Sequence, residues 1–240
     1  MGAVYKARGA DGKPVAIKIM SPDGPKERFA LEAKTLISLK HEGIPAVYDN
    51  GMEPCPYMVQ EIIEGPTLEE RLREPISREQ ALAISFGMLE VLAVVHEQGF
   101  VHRDLKPDNL LLRGDQVCLI DFGLVRVLDS ADRFTQTGEI LGTPAYLSPE
   151  QIDPHLGPVS PSIDQFAAGT IVYQLLTGRL PTVPGSLPKV MRQIVLTPAP
   201  PMPEVPENIA TVCLKALEKK PENRWATVRE FSQALKNATT

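Results

Sequence analysis

The sequence predicts an α+β fold, and three observations carry that expectation. The first sixty or so residues alternate short apolar runs with turns and hold one amphipathic stretch. From Thr67 onward helical periodicity takes over. The chain has 240 residues, 43% of them hydrophobic, enough for one large domain or two small lobes around a substantial core.

Val4 to Tyr5 and Val15 to Met20 read as strands joined by the turn Ala10-Asp11-Gly12-Lys13. Arg28 to Leu39 follows as a helix, with apolar Phe29, Leu31, Leu36 and Leu39 set among charged residues. Val47-Tyr48 and Tyr57 to Ile63 are two further strands. Leu68 to Arg73 and Glu79 to Gln98 are helical by periodicity, and Gly99 stops the second. Leu110 to Leu112 and Val117 to Ile120 flank Arg113-Gly114-Asp115 as a small hairpin. Asp164 to Leu176 is a strongly apolar helix ended by Gly178, and Asn208 to Glu218 and Val228 to Lys236 are amphipathic. Eight prolines between Pro181 and Pro206 forbid a continuous helix or strand there, so a packed loop within the domain is expected. Trp225 is expected in the core, His41 and His96 as packing residues, and His155 at the surface.

A net charge of -5 argues against a nucleic-acid binder, which needs cations for the phosphates. Cys55, Cys118 and Cys213 are odd in number and lack C-x-x-C spacing. That pattern fits a reducing, cytoplasmic setting better than a disulfide framework or structural zinc. The most apolar stretch, Ala81 to Val95, contains Ser85, Gly87 and Glu90 and reads as a buried helix, too short and polar for a membrane segment.

The most informative run is His102-Arg103-Asp104-Leu105-Lys106-Pro107-Asp108-Asn109. It combines a proton acceptor, a cation and a metal-ligating amide at a spacing that suits phosphoryl transfer from ATP. Five of its residues fill the fixed places of H-R-D-L-x-x-x-N, which chance supplies in on the order of one chain in ten thousand. Val15-Ala16-Ile17-Lys18 lies upstream of this run. Asp121-Phe122-Gly123 follows Asn109 by twelve residues, across the expected hairpin. Together these motifs resemble the protein kinases, and Lys106-Pro107 after the Asp is similar to the Ser/Thr branch, the bacterial eukaryotic-like members most of all.

That resemblance implies one protein kinase domain over 1–240. A small β-sheet lobe with one helix would span residues 1–63, and a larger, mainly helical lobe residues 64–240. It implies ATP and Mg²⁺ as cofactors and protein substrates with Ser or Thr acceptors. Lys18 would neutralise phosphates of ATP and pair with Glu32. Gln60 would be the gatekeeper, where the family more usually has an apolar residue. The backbones of Glu61 and Ile63 would bond the adenine edge, and Val4, Ala16 and Leu111 would sandwich the ring. Asp104 would accept or orient the acceptor proton, and Lys106 would stabilise the transferring phosphoryl group. Asn109 and Asp121 would ligate Mg²⁺. His102 and Asp164 would support the catalytic loop rather than act on substrate.

Gly142 to Glu150 resembles the peptide-binding end of a Ser/Thr kinase activation segment, with Ser148-Pro149-Glu150 where Ala-Pro-Glu is usual. Thr143 would bond Asp104 and Lys106, and Glu150 would form a buried ion pair with Arg224. Ser130, Thr135 and Thr137 read either as phosphate acceptors, which Arg103 and Arg126 could pair, or as solvated hydroxyls. The chain begins Met1-Gly2-Ala3-Val4-Tyr5, where the family reads through a loop with three glycines, and only the last is present here, as Gly2. The phosphate-covering loop is therefore expected to be incomplete, with the true start upstream. Two readings follow: a Ser/Thr protein kinase, or a catalytically weak or silent kinase-like module that binds ATP or a partner. A small-molecule phosphotransferase would lack the peptide-binding run.

Overall fold

The computed structural model describes residues 3–9, 11–20, 26–121 and 144–240. Gly2, Ala10, the Leu31 side chain, Phe122, Gly123, Arg126, Ser130, Thr135, Thr137, Gly142 and Thr143 lie outside that set, with the expectations attached to them.

Four antiparallel strands form the first layer: β1 (Ala3–Arg8), β2 (Pro14–Ile19), β3 (Val47–Gly51) and β4 (Tyr57–Glu61), in spatial order β1-β2-β4-β3. The expected strand at 57–63 stops two residues early, so Ile62 and Ile63 are irregular backbone leading out of the sheet. Helix α1 (Lys26–Ser38) packs near β3. It buries Phe29, Ala33 and Leu36, one face at helical spacing.

The second part is helical. It comprises α2 (Leu68–Arg71), α3 (Arg78–Glu97), α4 (Pro149–Ile152), α5 (Pro161–Thr177), α6 (Leu187–Leu196), α7 (Glu207–Ala216) and α8 (Val228–Thr239). The expected hairpin is present as β5 (Leu110–Arg113) and β6 (Gln116–Leu119). Helices α2 and α3 begin at capping boxes, Thr67 with Glu70 and Ser77 with Gln80, each satisfying two backbone donors that a helix start leaves open. The backbone turns left-handed at Gly99 and Gly178, just past α3 and α5, as the sequence requires.

Helix α3 is long and apolar enough by composition to cross a membrane. Here it is a core element: Ala81, Leu89, Leu92 and Val95 are fully buried against α5, α8 and β6. The proline-rich span differs from expectation. A ten-residue helix, α6, fits between Pro188 in its first turn and Pro198, and it buries Val190 and Ile194. Proline is tolerated in a first turn because its missing N–H has no intrahelical partner there. Trp225 is only half-buried, its indole N–H donating to Val212 O at 3.2 Å.

One apolar core runs through both layers. The link is the loop after α1. Gly43 O accepts Leu119 N–H at 2.8 Å, and a Cβ on Gly43 would sit 2.7 Å from Val117 O and 2.3 Å from Val91. Only glycine allows so close an approach between this loop and the hairpin. The sheet layer is thereby seated on β6 and α3 beside the cleft.

Candidate active site

Strand pairing sets one wall of the cleft. Val4, Lys18 and Met58 stand opposite one another across three strands, as do Lys6, Ala16 and Gln60. Directly paired residues share a face, and the face repeats every second residue. Val4, Ala16, Lys18 and Gln60 are therefore on one side of the sheet, the side that meets α1. Leu111 is half-exposed between buried Leu110 and Leu112, so it projects from β5 away from the core.

Lys18 Nζ lies 2.7 Å from Glu32 Oε1 and 3.1 Å from Asp121 Oδ1. Three elements meet at this ammonium: β2, helix α1 and the backbone following β6. Glu32 is 2% exposed and Asp121 51%, so the first pair is dry and the second faces the cleft. Burial pushes the Lys18 amine down, but Glu32 and Asp121 together outweigh it and hold the amine above its ordinary value. Burial also pushes the Glu32 carboxyl up, against the opposing pull of Lys18. Asp121 has φ 52°, a left-handed conformation that Asp tolerates better than most residues.

At the exit from β4, Glu61 N–H donates to Ala46 O at 2.7 Å. Its amide is thus committed to the sheet lobe. The Glu61 carboxylate is held by Arg113 of β5, whose second Nη donates to Glu42 O at 2.8 Å. This ion pair, which the sequence reading did not include, joins the two layers behind the cleft.

The residues of the 102–109 run are held through their backbone. Asp164, 1% exposed near the start of α5, accepts His102 N–H at 2.7 Å and Arg103 N–H at 2.8 Å. It also accepts His96 Nε2–H at 2.9 Å. The expectation for His96 as a packing residue is thereby corrected, since its ring is a donor to the loop's anchor. Asp104 N–H donates to His102 Nδ1 at 3.4 Å, which leaves His102 Nε2–H to donate to Ile120 O at 3.2 Å. Burial pushes the His102 imidazole down, in accord with a neutral ring, although the Asp164 charge opposes it. Arg103 has φ 69°, a conformation that costs a residue with a side chain of order 1–3 kcal/mol. Its Nε is buried without a hydrogen-bond partner among the described residues.

The Asp104 carboxylate lies 3.3 Å from Lys106 Nζ. Asn109 Nδ2 donates to Asp104 O at 2.8 Å and to Asp104 Oδ2 at 3.3 Å. With its nitrogen so engaged, the Asn109 amide presents its oxygen as the available hard donor. No group of three His, Cys, Asp or Glu ligands occurs among the described residues. Mg²⁺ does not require one: it takes one or two protein oxygens and completes its shell with water and phosphate. An Asn oxygen and a half-exposed Asp carboxylate fit that requirement.

Glu150 and Arg224 form a bidentate pair at 2.7 and 2.8 Å, both side chains fully buried. Burial pushes the Glu150 carboxyl up, but the Arg224 hydrogen bonds and charge outweigh it and hold it below the usual range. Gln151 was not singled out in the sequence. Its Oε1 accepts Ser148 N–H at 3.0 Å and its Nε2 donates to Arg103 O at 3.2 Å. The Ser-x-x-Gln spacing of a capping box was the available signal for it. His96 and Arg113 carry no comparable local signal.

A family described as the protein kinase domain matches residues 1–237. The chain belongs to the protein kinase family. This kinase domain is 36% identical over 256 residues to serine/threonine-protein kinase Pkn1 of Myxococcus xanthus, covering 99% of the chain and 36% of that relative. It is 44% identical over 186 residues to serine/threonine-protein kinase PknL of Mycobacterium tuberculosis, covering 72% of the chain and 46% of the relative. With serine/threonine-protein kinase PknB of Mycolicibacterium smegmatis it shares 35% over 241 residues, covering 93% of the chain and 38% of the relative. The chain thus spans about a third to just under half the length of these curated relatives. Its α+β architecture, a small antiparallel sheet lobe and a larger helical one, is that of the kinase domain.

Proposed function

We propose that this kinase domain transfers the γ-phosphoryl group of ATP to Ser or Thr hydroxyls of proteins, with residues 1–63 and 64–240 as the two lobes of the catalytic unit. The observation that carries the proposal is the junction at Lys18, where one ammonium contacts both Glu32 and Asp121. A kinase needs its phosphate-binding lysine, its helix acid and its metal-binding Asp assembled together.

Adenine lies between Val4 and Ala16 on one side and Leu111 on the other. The Glu61 carbonyl and the Ile63 backbone meet its polar edge, and Gln60 borders the space behind it. Lys18 neutralises negative charge on the phosphates and is held in place by Glu32. Asp104 orients the acceptor hydroxyl and takes its proton as the oxygen attacks phosphorus. That role is worth roughly two to four orders of magnitude in rate. Lys106, adjacent to Asp104, offsets charge on the transferring group. Asn109 and Asp121 would hold Mg²⁺, which supplies charge neutralisation across the phosphates when bound. Glu150 to Arg224 bonding makes the end of the peptide-binding segment rigid where a protein acceptor docks. The serine/threonine-protein kinase names of the relatives support the acceptor class. Three free cysteines support a reducing, cytoplasmic location.

The test is Asp104→Asn, which keeps side-chain size and removes the proton acceptor. Phosphate transfer from radiolabelled ATP to a Ser/Thr substrate protein should fall at least about a hundredfold. Stabilisation by Mg·ATP, read as a thermal shift, should persist. A variant retaining more than about a tenth of parental transfer would remove Asp104 from the chemistry.

A further inference from the structure

We propose that Gln151 is a positioning residue that ties the peptide-binding segment to the catalytic loop and sets the orientation of the peptide unit before Asp104. The inference rests on the reading of Asp104 as the base.

Gln151 is 7% exposed and stands at the third position of α4, the short helix that closes the segment 144–150. Its amide oxygen accepts the Ser148 N–H and its amide nitrogen donates to the Arg103 carbonyl. Ser148 Oγ, buried beside it, has no partner among the described residues. The glutamine half of the capping box is thus in place, and the other end of the same side chain is bonded to the loop that carries Asp104.

The Arg103 carbonyl belongs to the peptide unit that joins Arg103 to Asp104. The other end of that unit, Asp104 N–H, donates to His102 Nδ1. A planar unit pinned at its oxygen and its hydrogen cannot rotate about its long axis. On the preceding side, Arg103 N–H is held by Asp164. The left-handed backbone at Arg103 is thus clamped from α5 through its N–H and from α4 through its C=O. What is clamped is the direction in which the Asp104 side chain leaves the loop. Because the α4 clamp originates at Ser148, displacement of the peptide-binding segment is passed to the base.

A carboxamide is the one side chain of this length that both accepts and donates. Glutamate would keep the Ser148 bond and set an oxygen against the Arg103 carbonyl. Methionine would fill the space and make neither bond. Gln165 is a matched control. It is 2% exposed, and its Nε2 donates to Trp225 O at 2.9 Å while its Oε1 accepts Trp225 N–H at 3.1 Å. It makes the same two-ended clasp with no bond to the catalytic loop among the described residues.

The experiment compares parent, Gln151→Met, Gln151→Glu and Gln165→Met in peptide phosphorylation and in amide hydrogen exchange by NMR. Both Gln151 variants should lower kcat at least about tenfold, with KM for ATP within about twofold of parent. Gln165→Met should lose as much thermal stability as Gln151→Met yet keep kcat within about twofold. Exchange of the Asp104 amide should quicken at least about tenfold in Gln151→Met and stay parental in Gln165→Met. Parental kcat in Gln151→Glu, or parental Asp104 exchange in Gln151→Met, overturns the proposal. If the parent transfers no phosphate, the kinase reading is what fails, and the exchange comparison still decides the positioning role.

Discussion

Replacing Glu150 with glutamine isolates the value of the buried ion pair, because it removes one charge and almost no volume. In the folded protein the Arg224 guanidinium makes two bonds to this carboxylate. It also donates to Ser162 O at 3.0 Å, Glu218 O at 2.7 Å and Lys219 O at 3.2 Å. After Glu150→Gln the carbonyls remain, but a fully buried cation has lost its counter-charge, and an amide NH₂ confronts one of its donors. Breaking one side of such a pair costs about 3–5 kcal/mol. With a urea m-value of about 3 kcal/mol/M, that lowers the unfolding midpoint by about 1–1.7 M. Fluorescence of Trp225, the only tryptophan and the neighbour of Arg224, reports the transition. The comparison is Arg229→Ala, which breaks a bidentate pair with Glu97 whose side chains are 61% and 49% exposed. That pair is screened by solvent, so its loss should move the midpoint far less. If Glu150→Gln shifts the midpoint no more than Arg229→Ala does, burial does not set the value of the pair.

The same pair carries a pH signature. Glu150 titrates below its ordinary value of 4.5 in the folded protein, so the unfolded chain takes up the proton first as pH falls. Its contribution to stability is fully present above the ordinary value and is lost as pH falls through the lower, folded one. The stability difference between parent and Glu150→Gln should therefore be level at neutral pH and shrink below about pH 4.5.

Three further outcomes follow from the cleft. Lys18→Met leaves Glu32 buried opposite no cation, and should abolish most of the Mg·ATP thermal shift and lower transfer at least about a hundredfold; near-parental values for both would detach Lys18 from the phosphates. Asp121→Asn keeps a residue that accepts the left-handed backbone but removes the carboxylate. Mg²⁺-dependent nucleotide stabilisation should vanish while Mg²⁺-free binding persists, and an unchanged Mg²⁺ dependence would exclude Asp121 as the ligand. His96→Phe removes one of the three donors that buried Asp164 has among the described residues, and should cost about 1–3 kcal/mol in thermal unfolding and reduce kcat severalfold. Unchanged stability and rate would return His96 to a packing role.

Much of the site was legible because its chemistry lies in contiguous runs. Asp104, Lys106 and Asn109 occupy one loop of eight residues, and their mutual contacts at 2.8–3.3 Å follow from that proximity. Element boundaries were less legible. The strand expected to reach Ile63 ends at Glu61, because periodicity does not reveal where a ladder runs out of partners. Helix α6 escaped notice because prolines mark where helices cannot continue, and Pro188 in a first turn is one place where they can begin.

By itself the sequence determined the α+β order of elements, the hairpin, the helix stops at Gly99 and Gly178, and the local chemistry of the 102–109 run. These depend on neighbours along the chain, through periodicity, turn residues and fixed spacing. Tertiary structure alone decided which distant groups meet. Lys18 contacts an acid fourteen residues on and another 103 residues on. His96 and Asp164 are 68 residues apart, and Gln151 reaches Arg103 across 48. No periodicity encodes such pairs, since each exists only after helices and strands distant in the chain have buried a common core and brought their polar groups within bonding distance of one another.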